Sequence, residues 1–189
     1  MGFLDESLER GSSLKPDVIA CDAGSTDSGP FYLGSATPKM SRSAILQDLR
    51  RLLLARDQLK IPLIIGSCGT SGVDSGVEWM REMTLEIARE ECLSFKLGRV
   101  YSEQNPKLMA EAFQSGKIEP LPEAPEIDEQ IIQNCSHIVA MMGHEPIVHL
   151  LEEKCDVILC GRASDTALFA ALPLMHGFPA GPVWHCAKT

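Results

Sequence analysis

The chain is short of positive charge, has no long apolar run and carries none of the standard phosphate-loop motifs, and each deficit removes a class of function. Its 17 Lys and Arg residues stand against 26 Asp and Glu, for a formal charge of −9. No basic patch and no alternation of basic with aromatic residues stands out, so no nucleic-acid partner is expected. The acidity reads as a solubility feature rather than a preference for cationic partners. No apolar run approaches the roughly 20 residues needed to cross a bilayer, so no membrane partner is expected either. Residues 1–14 hold Asp5, Glu6, Glu9 and Arg10 where a secretory leader would be apolar. The seven cysteines are odd in number and scattered, several inside apolar runs, as reduced core thiols are. A cytoplasmic location follows as the expectation. Residues 66–72 are not a Walker A loop, because no Gly-Lys-Ser/Thr follows, and no G-x-G-x-x-G stands at a strand end. That argues against a nucleotide-binding hydrolase and a standard dinucleotide site.

What is present is enough apolar material, 44% of 189 residues, for a core in one domain spanning residues 1–189. Short β-prone apolar runs at 17–22 (DVIACD), 62–66 (PLIIG), 95–100, 137–142 (HIVAMM) and 156–160 (DVILC) read as buried strands. Helical patterns lie between and after them. They cover 41–59, a stretch from about Ser75 to Cys92 opened by a Ser75–Glu78 capping box, 106–114, 146–154 and 164–176. Pro173 is expected to bend or end the last of these. Residues 117–127, with Pro120, Pro122 and Pro125, read as an extended connection, and 128–134 as a helical turn or two. Such alternation predicts an open α/β fold, a mostly parallel sheet with helices on both faces. In sheets of this kind ligands bind beyond the carboxyl ends of the strands.

Three glycine- and serine-rich loops converge on that edge: 22–30, 66–72 and 161–166. Glycine admits close approach of a ligand to the backbone, and hydroxyls with helix N-terminal N–H groups suit anions. Gly24, Ser25, Thr26, Ser67, Cys68, Gly69, Thr70, Ser71, Arg162 and Ser164 are the candidate substrate-binding residues, with Arg162 as a bidentate anion clamp. Asp22, Asp27 and Asp165 are candidates for acid–base work or for holding a hard cation such as Mg²⁺. Asp27 reads equally as an Asx-turn residue, and Asp165 as a first-turn residue favoured by the helix dipole. A fourth strand-end loop, 142–146, adds His144 as a proton shuttle. Glu145 and His149, four residues apart, read as a solvated helix face rather than a zinc site.

The segments DAGSTDSGPFYLG (22–34), IIGSCGTSG (64–72), MMGHEP (141–146) and CGRASDTALFAALPLMHGFPAGPVWH (160–185) together resemble the acyclic terpene utilisation, AtuA-like, family. The resemblance runs over nearly the whole chain. It implies catabolism of terpenoids and small organic acids, with carboxylate or acyl-CoA substrates and lyase or hydratase-like steps. It also implies a further strand before Gly2 and a long region beyond Lys188. On that basis the chain is expected to be a fragment or one subunit of a larger protein, homo-oligomeric or completed by a partner chain. The alternative to an enzyme domain is a non-catalytic ligand-binding or scaffold subunit that needs such a partner.

Overall fold

The computed structural model describes residues 2–25 and 28–189. In chain order the elements are α1 (Asp5–Ser13), β1 (Ile19–Gly24), α2 (Phe31–Ser35), α3 (Arg42–Leu59), β2 (Leu63–Thr70), α4 (Asp74–Glu90), β3 (Leu97–Val100), α5 (Pro106–Gln114), α6 (Glu129–Gln133), α7 (Glu145–Glu152), β4 (Val157–Cys160), α8 (Asp165–Met175) and α9 (Ala180–Lys188). The sheet has the order β1-β2-β4-β3, and every pairing in it is parallel.

Alternation along the central strands sorts the helices into two layers. Leu63 and Ile65 of β2, with Val157 and Leu159 of β4, face α3 and α4. They meet Ile45, Leu49, Leu52 and Leu53 of α3 and Val77, Met80, Met83 and Ile87 of α4, apolar residues at three- and four-residue spacing. Ile64, Ile158 and Cys160 face the other way, onto Ile147 and Leu151 of α7 and Leu168, Ala171 and Leu172 of α8. A strand buried on both faces must be apolar at successive positions, which is why LII and VIL stand at the sheet centre.

At the amino ends of the strands a buried guanidinium fixes the spacing. Arg56, 3% exposed, donates from Nε to the Ile61 carbonyl at 3.0 Å and from Nη2 to Asp156 Oδ1 at 2.9 Å. Asp156 Oδ2 accepts the Lys96 N–H at 2.8 Å. One ion pair thus joins the chain entering β2, β3 and β4.

Several local expectations are corrected. The run 137–142 is not a ladder strand. It makes only isolated bridges, Glu103 with Val139 and Met142 with Ala163, because β3 already fills the edge beside β4. Strand β2 continues to Thr70, through the SCGT expected to be loop. Ser75–Glu78 is not a capping box: Val73 is the N-cap, and Glu78 turns outward to Arg99 and Tyr101. Glu103 from across the sheet edge serves as cap instead, its Oε2 accepting the Asp74 N–H at 3.0 Å. Helix α8 passes Pro173 and continues to Met175. Helices α1, α2 and α9 had no counterpart in the sequence reading.

Removing the guanidinium in Arg56→Met strands the Asp156 carboxylate and the Ile61 carbonyl. Because Asp156 keeps some solvent, the expected loss is about 2–3 kcal/mol, below the full value for a broken buried pair. Equilibrium urea unfolding measures it, and an unchanged midpoint would show that the pair does not hold the strand ends together.

Candidate functional site

The loops leaving β2 and β4 diverge: β2 leads into α4 on one face of the sheet, and β4 leads into α8 on the other. Between neighbouring parallel strands this divergence opens a crevice at their carboxyl ends. A cleft of about 520 Å³ lies there, lined by Ser71 from one loop and Arg162 from the other. Ser25, Gly29, Pro30, Tyr32 and Leu33 close one side, and Val139 and Met141 the opposite side. Among these described lining residues Arg162 carries the only formal charge.

The two diverging loops are bound together at their bases. The Ser102 hydroxyl donates to the Gly72 carbonyl at 2.7 Å and accepts the Arg162 N–H at 2.7 Å. Gly72 has φ +76°, and a Cβ on it would lie 2.3 Å from the Arg162 nitrogen. Only glycine satisfies both conditions. The end of β2 is irregular for the same reason that it is useful. Asp22 pairs with Gly66 and Gly24 with Thr70, so the β2 segment between the two pairings is the longer one and bulges outward. Ser67 and Thr70 take left-handed φ values of 47° and 80°, conformations that cost a non-glycine residue about 1 kcal/mol or more.

The arrangement gathers part of the sequence-derived set. Ser25, Ser71 and Arg162 line the cleft. Ser67 lies beneath it, fully buried, with its Oγ 3.4 Å from Arg162 Nη1. Gly24 packs against Ser67, where a Cβ would come within 2.3 Å. Thr70 Oγ1 accepts the Lys39 N–H at 2.9 Å, and Gly69 packs on Gly76. Cys68 is enclosed in the core between the sheet and α4 and does not reach the cleft. Burial pushes its thiol well above the ordinary value, and Cys21 and Cys160 are pushed up to about 12, so these thiols stay protonated at neutral pH. Ser164 occupies the N-cap position of α8, but its hydroxyl turns to Thr166 Oγ1 at 3.0 Å. Asp165 is exposed in the first turn.

His144 is not brought to this cleft. It stands at the start of α7, edge-on to Trp184 with centroids 5.4 Å apart, and lines a separate hollow with Glu145 and His149. Thr26 and Asp27 lie outside the described residues. Among the described residues no group of three or more His, Cys, Asp or Glu side chains could hold a metal ion. Sequence reasoning missed the apolar walls. Val139 and Met141 fall in the run taken for a strand, and their alternation is what puts both side chains toward the cleft. It also missed Ser102, for which no local sequence signal exists.

Two buried side-chain atoms among the described residues lack a hydrogen-bond partner, Asp22 Oδ1 and Ser71 Oγ, and both belong to this edge. Asp22 is held above its ordinary carboxyl value, first by burial and then by the nearby Asp165 charge. The Ser67 hydroxyl, Arg162 and the Gly24 N–H pull in the other direction without overcoming it. The site is therefore a mainly apolar cleft with one guanidinium and one unpartnered hydroxyl among its described residues, beside a carboxyl raised above its ordinary value by burial.

These features define a three-layer α/β protein with an anion-compatible cleft at the carboxyl edge of a parallel sheet. The model of the acyclic terpene utilisation family protein AtuA matches residues 42–180, and the chain belongs to that family. The segment 22–34, with Asp22 and Ser25, precedes the matched span. Searches of curated proteins and of solved structures returned no match.

A carboxyl whose folded-state value is raised binds its proton more tightly in the fold than in the unfolded chain. Its contribution to stability is whole at acid pH and is lost as pH rises through the folded-state value. Asp22→Asn keeps the shape and removes that loss. The melting temperature of the variant relative to wild type should therefore climb between about pH 4 and about pH 7. A difference that stayed constant over that interval would contradict the burial of Asp22 as an acid.

Proposed function

We propose that this chain is an enzyme domain of small organic acid or acyl-CoA catabolism, acting in the cytoplasm on a carboxylate or thioester held in the cleft at the sheet edge. The observation that carries this reading is the Ser71 hydroxyl, unpartnered among the described residues and buried beside Arg162 in a mainly apolar hollow. A buried hydroxyl without a partner costs about 1–3 kcal/mol, and an acceptor oxygen of a ligand removes that cost. Arg162 takes the negative charge, Ser71 donates to the same group, and Pro30, Leu33, Val139 and Met141 accept an apolar substituent. Asp22, its carboxyl raised by burial, is the candidate acid for a lyase or hydratase step, with Asp165 and Arg162 as charged neighbours. Asp27 remains part of the proposal as a further acid–base group. His144, on the far side of the α7 start, has no part in this step.

A thermal-shift panel of short carboxylates, acyl-CoA thioesters, free CoA and inorganic phosphate tests the reading. A ligand at 100 times its dissociation constant stabilises the fold by about 2.7 kcal/mol. A shift is expected with carboxylates or acyl-CoA thioesters, and it should vanish in Arg162→Ala. A shift of equal size in that variant would put the ligand elsewhere.

A second reading, a subunit that needs another copy or a partner chain, has its own support. Phe169 and Phe178 are exposed on α8 and just before α9, beside an apolar hollow that also involves Pro173 and Val183. An exposed apolar patch of this kind marks an interaction surface. Light scattering on the purified chain should then give a mass above the 20.6 kDa of one copy, and Phe178→Glu should lower it. A wild-type monomer active in the panel above would remove the need for a partner.

A further inference from the structure

We propose that His137, held by Glu103, is the general base of the cleft, and that its substrate is a thioester of the acyl-CoA kind with a hydrogen on the carbon beside the carbonyl. The inference rests on the ligand reading above and selects the thioester within it.

The backbone puts this pair on the cleft side of the carboxyl edge. Beyond β3, residues 102–104 run antiparallel to 138–140. The Gln104 N–H donates to the Ile138 carbonyl at 2.8 Å, and the Ala140 N–H to the Ser102 carbonyl at 2.9 Å. Glu103 stands opposite Val139 in this pairing. Opposed residues project to the same side, as do residues two apart along an extended segment. Glu103, His137 and Val139 therefore share one face, and Val139 is cleft wall, as is Met141 two residues on. The Glu103 carboxylate is engaged at both oxygens. Its Oε2 accepts the Asp74 N–H at 3.0 Å, three residues after the cleft-lining Ser71, and its Oε1 bonds His137 Nδ1. Asp74 braces the same turn, its Oδ1 accepting the Ser102 and Glu103 N–H groups at 3.2 and 3.1 Å.

Burial raises the Glu103 carboxyl, but the His137 bond and the Asp74 N–H hold it below its ordinary value. An ionised carboxylate can only accept, so a neutral His137 carries its hydrogen on Nδ1. The lone pair is then on Nε2, which makes no hydrogen bond to the described residues. The His137 side chain is 26% exposed, so a substrate can reach it. A carboxylate that fixes the imidazole in this form prepares a general base. The step is a proton transfer from the substrate carbon to Nε2. The C–H bond breaks, an N–H bond forms, and the electron pair becomes the C=C of an enolate whose charge rests on the former carbonyl oxygen. Ser71 and Arg162, in the same cleft, suit that oxygen. A free carboxylate would gather a second negative charge on its oxygens in this step, whereas a thioester gathers its first. The imidazolium returns its proton to the carbon or exchanges it with water.

Butanoyl-CoA in deuterium oxide is the probe, used with the full chain and followed by NMR. Wild type should replace the hydrogens beside the carbonyl with deuterium faster than buffer alone does. The imidazole nitrogen signals of the unliganded chain should show neutral His137 with its hydrogen on Nδ1. In Glu103→Gln the single amide oxygen stays on the Asp74 N–H and the amide NH₂ turns to Nδ1, which moves the hydrogen to Nε2. That variant and His137→Gln should still bind butanoyl-CoA while exchange falls about a hundredfold or more. A wild-type His137 with its hydrogen on Nε2, exchange that persists in either variant, or binding without exchange overturns the base and leaves the ligand reading standing. Binding of butanoate without any binding of butanoyl-CoA does the same. If neither is held, or Arg162→Ala holds them as tightly, the ligand reading falls and the base with it.

Discussion

The Ser102 hydroxyl, set between the Gly72 carbonyl and the Arg162 N–H, is the constraint on which the carboxyl edge depends. Three strand-end loops meet there, from β2, β3 and β4. Two of them contribute glycines because the three come so close together. A Cβ on Gly161 would lie 2.4 Å from Ser102 Oγ, and one on Gly72 would meet the backbone of Arg162. Both bonds of the hydroxyl are to backbone groups, so what it fixes is the path of the chain. The Arg162 guanidinium inherits its position from that path. That hydroxyl, with the direct bond from the Arg162 N–H to the Gly72 carbonyl at 3.1 Å, fixes where the only formal charge of the described cleft wall stands.

The opposite edge is built from the same logic with a stronger element. Arg56 and Asp156 join the entries to β2, β3 and β4 through an ion pair with an almost wholly buried cation. Between the two edges the sheet is apolar on both faces. The rigid amino edge and the two packed layers allow the carboxyl edge to be irregular. Left-handed Lys60, Cys92 and Lys154 close helices ahead of the amino edge, but left-handed non-glycine residues within a strand, Ser67 and Thr70, occur with the β1–β2 register slip and two unpartnered polar atoms of the described residues at the carboxyl edge. Strain of this kind persists only where the surroundings over-determine it, and it concentrates at sites that bind or react.

How much of this could be read beforehand follows from the range of the interactions involved. Strands β1, β2, β3 and β4 and helices α3, α4, α5, α7 and α8 announce themselves through local apolar spacing, and the parallel order follows from their alternation. The mistaken strand at 137–142 has the right composition. Composition cannot reveal that the edge beside β4 is taken by residues 97–100, more than fifty residues away along β4's own approach. The cap of α4 was misplaced for a similar reason, since its donor group is satisfied by Glu103 rather than by a neighbour in sequence. Within the site, glycine and serine loops pointed to Arg162 and Ser71 because short polar residues after a strand are a local signal. They also pointed to Cys68, which alternation turns into the core. His144 follows a run that resembles a strand end, and the position of α7 carries it away from the cleft.

Burial gives the site its chemical character more than any single residue type does. A carboxylate, a guanidinium and a hydroxyl are ordinary on a wet surface, where water would satisfy each of them separately. Enclosed at a sheet edge, they must be satisfied by one another, and here the count does not close. Arg162 can neutralise one carboxylate at a time, and Asp22 already lies in its field. Ser71 has no hydrogen-bond partner among the described residues. On the proposed reading, an arriving oxygen anion supplies that acceptor and occupies the cation. The burial that raises the Asp22 carboxyl also leaves the Ser71 hydroxyl unsatisfied, so both follow from the enclosure of this edge rather than from either residue alone.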